Sequence, residues 1–138
     1  MKILILCTGN SCRSQMAHGF LQSFNNNLRV FSAGTDPAKQ VSSKAIQVMK
    51  EAGIDISKNI PIHVDMYLNE PWDYVITVCD DAHEVCPFFP GKVNHRLHMG
   101  FEDPSHFIGT EEKAMFEFRR IRDEIKNTIY RFYKTLLV

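Results

Sequence analysis

No stretch of this chain stays apolar for the roughly 18 residues that a membrane-spanning helix needs. The opening apolar run, Ile3 to Leu6 behind Lys2, is shorter than the roughly 7–15 residues of a secretion-signal core. Neither sign of charge is in excess. Sixteen basic residues face sixteen acidic ones, so the electrostatic footprint of a nucleic-acid binder is missing. Seven glycines and six prolines in 138 residues are too few for a collagenous or low-complexity chain. The four cysteines, Cys7, Cys12, Cys79 and Cys86, form no C-x-x-C pair. No histidine stands at finger-like spacing from two of them, which leaves no ordinary zinc framework. These absences predict a cytoplasmic protein without metal, cofactor, membrane or nucleic-acid partner; a monomer is expected, though no residue pattern fixes the oligomeric state. In that compartment, cysteines point to chemistry rather than to staples.

The remainder is an ordinary globular composition, 44% apolar and 23% charged, at a length that fits one domain, residues 1–138. Lys2 to Leu6 (KILIL) is a short β-rich run without alternation, as expected of a strand buried on both faces. Arg13 to Phe24 follows with Met16, Ala17, Phe20, Leu21 and Phe24 at helical spacing, and three asparagines stop it. Arg29 to Ala33 reads as a second strand and Val41 to Ala52 as a second helix ended by Gly53. Residues 54 to 72, broken by Pro61 and Pro71, predict a short helix at most. Asp73 to Cys79 is the strongest strand, and Asn94 to His98 is a weaker one. Thr110 to Leu137 predicts a long amphipathic helix, with Thr110 as its cap and Glu111 and Glu112 complementing its dipole. Strands alternating with helices predict an α/β fold, a four-stranded parallel open sheet in order 2-1-3-4 with helices on both faces. In such sheets ligands bind beyond the carboxyl ends of the strands, beside strand one.

Strand one runs directly into Cys7-Thr8-Gly9-Asn10-Ser11-Cys12-Arg13-Ser14, after which a helix begins. A tight loop entering a helix N-terminus turns successive backbone N–H groups inward and makes a nest for a tetrahedral oxyanion. Gly9 and Asn10 are residue types that tolerate the positive φ of such a loop. The same field favours a thiolate at Cys7, and the planar fork of Arg13 can hold two oxyanion oxygens at once. As a bare pattern C-x5-R is weak. The strand before it, the glycine inside it and the helix after it give it meaning.

The stretch CTGNSCRSQMAHG resembles the signature loop of the low-molecular-weight tyrosine phosphatase superfamily, and more narrowly that of the thioredoxin-coupled arsenate reductases on that fold. The resemblance extends to Phe31 to Gly34 (FSAG), Lys44 to Ser57, Cys79, Cys86 and Asp103-Pro104. It implies an oxyanion site made of Thr8, Gly9, Asn10, Ser11, Cys12 and Arg13, with Cys7 as nucleophile and Asp103 as general acid. Ser14 is read as a donor to the Cys7 sulfur, with capping of the helix start as the alternative. It further implies that Cys79 attacks Cys7, that Cys86 then attacks Cys79, and that thioredoxin reduces the resulting Cys79–Cys86 disulfide. Seven residues of helix would hold those two cysteines about 10.5 Å apart, too far for a disulfide. Any helix between them must therefore loop out.

The alternative reading is a low-molecular-weight phosphatase acting on phosphotyrosine or a small phosphoester through a Cys7 phospho-intermediate. A third is a non-catalytic oxyanion or thiol sensor. Tyrosine commonly follows Asp-Pro in the phosphatases, whereas Ser105 and His106 follow it here, which argues against an aryl-phosphate substrate. Some members bind potassium beside the loop. Asn10 and Ser32 match that pattern, but His18 stands where a Glu is expected and Pro61 to His63 offers no obvious Asp, so no potassium site is expected. Cys12 is read either as a small packing residue or as an oxidative partner of Cys7.

Overall fold

The computed structural model describes residues 1–80 and 88–136. Four strands, β1 (Lys2–Cys7), β2 (Arg29–Gly34), β3 (Trp72–Thr77) and β4 (Val93–His98), form one sheet in the order β2-β1-β3-β4. Every neighbouring pair is parallel. The helices are α1 (Arg13–Phe24), α2 (Ser43–Glu51) and α3 (Glu111–Leu136), with short 3-10 turns at Val64–Tyr67 and Pro104–His106. The parallel sheet and its strand order are the expected ones; the expected helices on both faces are not what the described residues show.

The pleat of β1 explains its unbroken apolar sequence. Ile3, Ile5 and Cys7 face one side, where Met16 and Phe20 of α1, Val48 of α2 and Ile121, Ile125 and Ile129 of α3 close over them. Leu4 and Leu6 face the other, against Ala33, Val64, Val75 and Phe89. Among the described residues the three α-helices therefore lie on one face and not on both as expected, because their apolar stripes share one cluster, and the Val64–Tyr67 turn and the chain near Phe89 pack on the other. Truncating a fully buried β1 side chain such as Ile5 to alanine costs about 2–5 kcal/mol. By contrast β4 is an edge strand, and its exposed Asn94, His95 and Arg96 suit it to end the sheet.

Element ends differ from the expected ones for local reasons. Helix α2 begins at Ser43, because the Ser42 hydroxyl accepts the Ala45 N–H at 3.3 Å and fixes the cap there. Gly53, at φ +83°, takes the left-handed conformation that ends it. Strand β3 stops at Thr77, two residues before the expected Cys79. Val78 and Cys79 then fall in the same core cluster, so the alternation of faces has ended there. Helix α3 keeps the expected cap, with the Thr110 hydroxyl accepting the Lys113 N–H at 3.2 Å. No described helix is long and apolar enough to cross a membrane.

Candidate active site

The loop between β1 and α1 is held from outside, one carbonyl at a time. Cys7, Thr8 and Gly9 accept the backbone N–H groups of Thr35, Asp36 and Ala38 at 3.3, 2.9 and 2.9 Å. The Asn10 carbonyl accepts from Gln15 Nε2 at 3.1 Å. Those of Ser11 and Cys12 accept from the N–H groups of Ser42 and Met16 at 2.8 and 2.9 Å. In a trans peptide the C=O and the following N–H point in opposite directions. Six outward carbonyls therefore turn the N–H groups of residues 8 to 13 inward. Helix α1 has neither a capping side chain nor an acid in its first turn, so its positive end faces the same space.

Asn10 locks the loop. At φ +50° it is the non-glycine residue with positive φ among those described, whereas Gly9 does not adopt one. Its Oδ1 accepts the Ile62 N–H at 2.9 Å, and its Nδ2 donates to Ser14 Oγ at 2.9 Å. Ser14 is thus an acceptor for Asn10, which leaves its own O–H to donate elsewhere. The glycine the loop requires is Gly34 of β2, level with Cys7 in the sheet register. A Cβ there would lie 2.3 Å from the Thr8 carbonyl oxygen. Sequence reasoning found the FSAG turn but not this contact, because the close approach is between distant segments.

The loop surrounds a cavity of about 50 Å³ lined by Cys7, residues 9 to 14 and Asp103. Its size suits a compact anion rather than an organic group. Thr8, expected among the binding residues, does not line it and takes part through its backbone. Arg13, 5% exposed, donates from Nη1 to the Phe101 carbonyl at 3.0 Å, while its Nη2 lies 3.6 Å from Asp103 Oδ2. Asp103 is extended, φ −86° and ψ 107°, as the following proline predicts. Its Oδ1 accepts from Ser105 N and Oγ at 3.0 and 2.6 Å. The segment reaches the site because Met99 N–H donates to the Thr77 carbonyl at 2.8 Å and Phe101 N–H to that of Val78 at 3.2 Å.

Cys7 and Cys12 are buried thiols. Burial first, then the nearby Asp103 carboxylate, pushes the Cys12 thiol well above its ordinary range, so it stays protonated at neutral pH. Cys79 is fully buried, disulfide-bonded, and in the same core cluster as Cys7 and Cys12. Cys86 lies outside the described residues. An aromatic side chain does flank Asp103: Phe107, 38% exposed, lines a neighbouring cavity with Asp103 and Pro104. Phe107 stands just past Ser105 and His106, the two residues that directly follow Asp103-Pro104.

Behind the loop, His18 Nδ1 lies 3.0 Å from Ser32 Oγ. Burial pushes the imidazole down to about 4, against the raising effect of a hydrogen bond to the Val30 backbone, so His18 is neutral at pH 7. A neutral ring offers a potassium ion no charge, and Asn10 Oδ1 is committed to Ile62 N–H.

A family model described as low molecular weight phosphotyrosine protein phosphatase matches residues 2–137. The chain is 43% identical to an arsenate reductase of Bacillus subtilis over 134 residues, 96% of this chain and 95% of that one. It is 44% identical to an arsenate reductase of Halalkalibacterium halodurans over the same shares. Among solved structures, an arsenate reductase in the phosphate binding state superposes with a TM-score of 0.80 at 27% identity, covering 97% of both chains. A thioredoxin-dependent arsenate reductase of Corynebacterium glutamicum matches at a TM-score of 0.68 and 27% identity, over 99% of this chain and 60% of that one.

Proposed function

The chain belongs to the low molecular weight phosphotyrosine protein phosphatase family, and from that premise we propose that it is an arsenate reductase working through Cys7, Cys79 and Cys86. Arsenate sits in the cradle on the inward N–H groups and the Arg13 fork. The Cys7 thiolate attacks arsenic, and Asp103 protonates the oxygen that leaves as water. Cys79, with its own disulfide first reduced to the thiol, then attacks the Cys7 sulfur. The sulfur–arsenic bond breaks with its electron pair going to arsenic, which departs as arsenite, and a Cys7–Cys79 disulfide remains. Cys86 attacks Cys79, the Cys7 thiolate is released, and a dithiol protein such as thioredoxin reduces the Cys79–Cys86 disulfide. The two electrons taken by arsenic come from two thiols, so the chemistry balances.

The observation that carries this reading is the position of Cys79. Leu6 pairs with Thr77 across the sheet, and Val78 N–H donates to the Leu6 carbonyl at 3.1 Å, so Cys79 stands one residue beyond the level of Cys7. The strand has ended by then, and Cys79 turns into the same buried cluster as Cys7 instead of the opposite face. Neighbouring strands lie about 4.8 Å apart, within the roughly 4.4–6.8 Å between Cα atoms that a disulfide spans. A phosphatase needs only water after the first displacement, whereas a reductase needs thiols to deliver two electrons.

The test is arsenate-dependent NADPH oxidation with thioredoxin and thioredoxin reductase. Wild type turns over repeatedly, and Cys86→Ser stops after about one equivalent. Equal rates in the two proteins remove Cys86 from the reaction. Phe107 beside Asp103 favours a second activity, hydrolysis of small aryl phosphates. It is measured as p-nitrophenyl phosphate turnover that survives Cys79→Ser and is lost in Cys7→Ser.

A further inference from the structure

Both carboxylate oxygens of Asp103 are occupied, but by different kinds of partner. Oδ1 is held by Ser105 at 3.0 and 2.6 Å, contacts that do not depend on pH. Oδ2 stands between two nitrogen groups, 3.6 Å from Arg13 Nη2 and 3.4 Å from His106 Nε2. The 3-10 turn at Pro104–His106 eclipses side chains three residues apart, which brings His106 over Asp103. His106 is 82% exposed on the solvent side of Asp103 and Arg13 is buried beneath it. One of these two neighbours is always charged, and the other is an imidazole, charged only when protonated.

We propose that His106 is a positioning residue for Asp103, drawing Oδ2 away from Arg13 when the imidazole is protonated and releasing it when the imidazole is neutral. The inference rests on the reading of Asp103 as the acid. An imidazolium on Oδ2 does two opposite things. It frees the Arg13 fork to grip the oxyanion, and it keeps the carboxyl ionised when the reaction needs its proton. Protonation of His106 therefore strengthens substrate binding and weakens the chemical step.

The other charged or titratable groups around Asp103 do not imitate this behaviour. Glu102 and Glu117 are both paired with Arg120, at 2.9 and 2.7 Å. Cys12 remains a thiol. Cys7 is present in wild type and variant alike, so its titration cancels in their ratio.

His106→Gln keeps a polar side chain and removes the titration. Wild type, His106→Gln, Asp103→Asn and the double variant are compared from pH 5.5 to 8 on two reactions. One is arsenate reduction with coupling enzymes in excess, and the other is p-nitrophenyl phosphate hydrolysis, which needs the same acid but no thiol relay. At pH 8 wild type and His106→Gln have equal kcat. At pH 5.5 the wild-type kcat is about three-fold lower and its KM lower too, the size of effect an exposed ion pair carries. In the Asp103→Asn background the histidine substitution has no pH-dependent effect. A wild-type to variant ratio that stays constant across the range overturns the role of His106 while leaving Asp103 in place. Undiminished turnover in Asp103→Asn overturns the acid itself.

Discussion

Gly34 and Thr8 approach so closely that a Cβ on residue 34 would sit 2.3 Å from the Thr8 carbonyl oxygen. That contact lets the chain leaving β2 run beside the oxyanion loop and take its carbonyls. Gly34→Ala must push the two segments apart, at about 1–3 kcal/mol. The variant is expected to fold, with a lowered urea midpoint, and to bind inorganic phosphate at least ten-fold more weakly by calorimetry. Unchanged phosphate affinity would mean that the outer hydrogen bonds do not shape the cradle.

Asn10 combines a left-handed backbone with two side-chain bonds, to Ile62 and Ser14. Asn10→Ala loses both features. The backbone strain costs about 1–2 kcal/mol, and the lost bonds add about 1 kcal/mol each. Asn10→Gly relieves the strain and not the bonds, so its urea midpoint falls between wild type and Asn10→Ala. Equal midpoints for the two variants would show that the positive φ carries no cost at this position.

Arg13→Lys keeps the charge and loses the fork, because one ammonium cannot both hold the Phe101 carbonyl and grip two oxyanion oxygens. The lost charge-assisted bond is worth about 1.5–3 kcal/mol. Phosphate binding should weaken by about 10- to 100-fold at unchanged net charge. A lysine variant with wild-type affinity would reduce Arg13 to a point charge.

His18 makes stability depend on pH. In the native protein it resists protonation down to about 4, while in the unfolded chain it takes a proton near the ordinary value of 6.5. Protons therefore favour the unfolded state between those limits. The stabilisation is complete above about pH 6.5 and is lost as the pH falls towards 4, by up to about 3 kcal/mol. His18→Gln retains a hydrogen-bonding partner for Ser32 without that titration. Comparing urea midpoints at pH 7.5 and 4.5, the acid loss should be smaller in the variant than in wild type. Parallel losses would place the acid sensitivity elsewhere.

The frame of the molecule was legible wherever a pattern was local. The two-faced burial of KILIL, the stripe of α3 from Met115 to Phe132 and the Thr110 cap follow from spacing and residue type alone. So did the strand, loop and helix that assemble the cradle, and the extended conformation of Asp103. The requirement at Gly34, the Asn10 bond to Ile62 and the arrival of Phe107 beside Asp103 join segments far apart in sequence or past the motif. No local pattern encodes them. The positive φ went to Asn10 and not Gly9 for a related reason. The side chain of Asn10 is bonded on both ends, and those bonds select its backbone.

Three sulfurs passing one oxidation outward is the central claim, and quantitative thiol mapping after a single turnover tests it most directly. Reduced protein is treated with one equivalent of arsenate without a reductant, quenched with an alkylating agent, digested and analysed by mass spectrometry. The account predicts about one Cys79–Cys86 disulfide per arsenite released, with Cys7 recovered as an alkylated thiol. It also predicts that Cys86→Ser stops at a Cys7–Cys79 disulfide. Arsenite release with Cys79 and Cys86 both alkylated would contradict it.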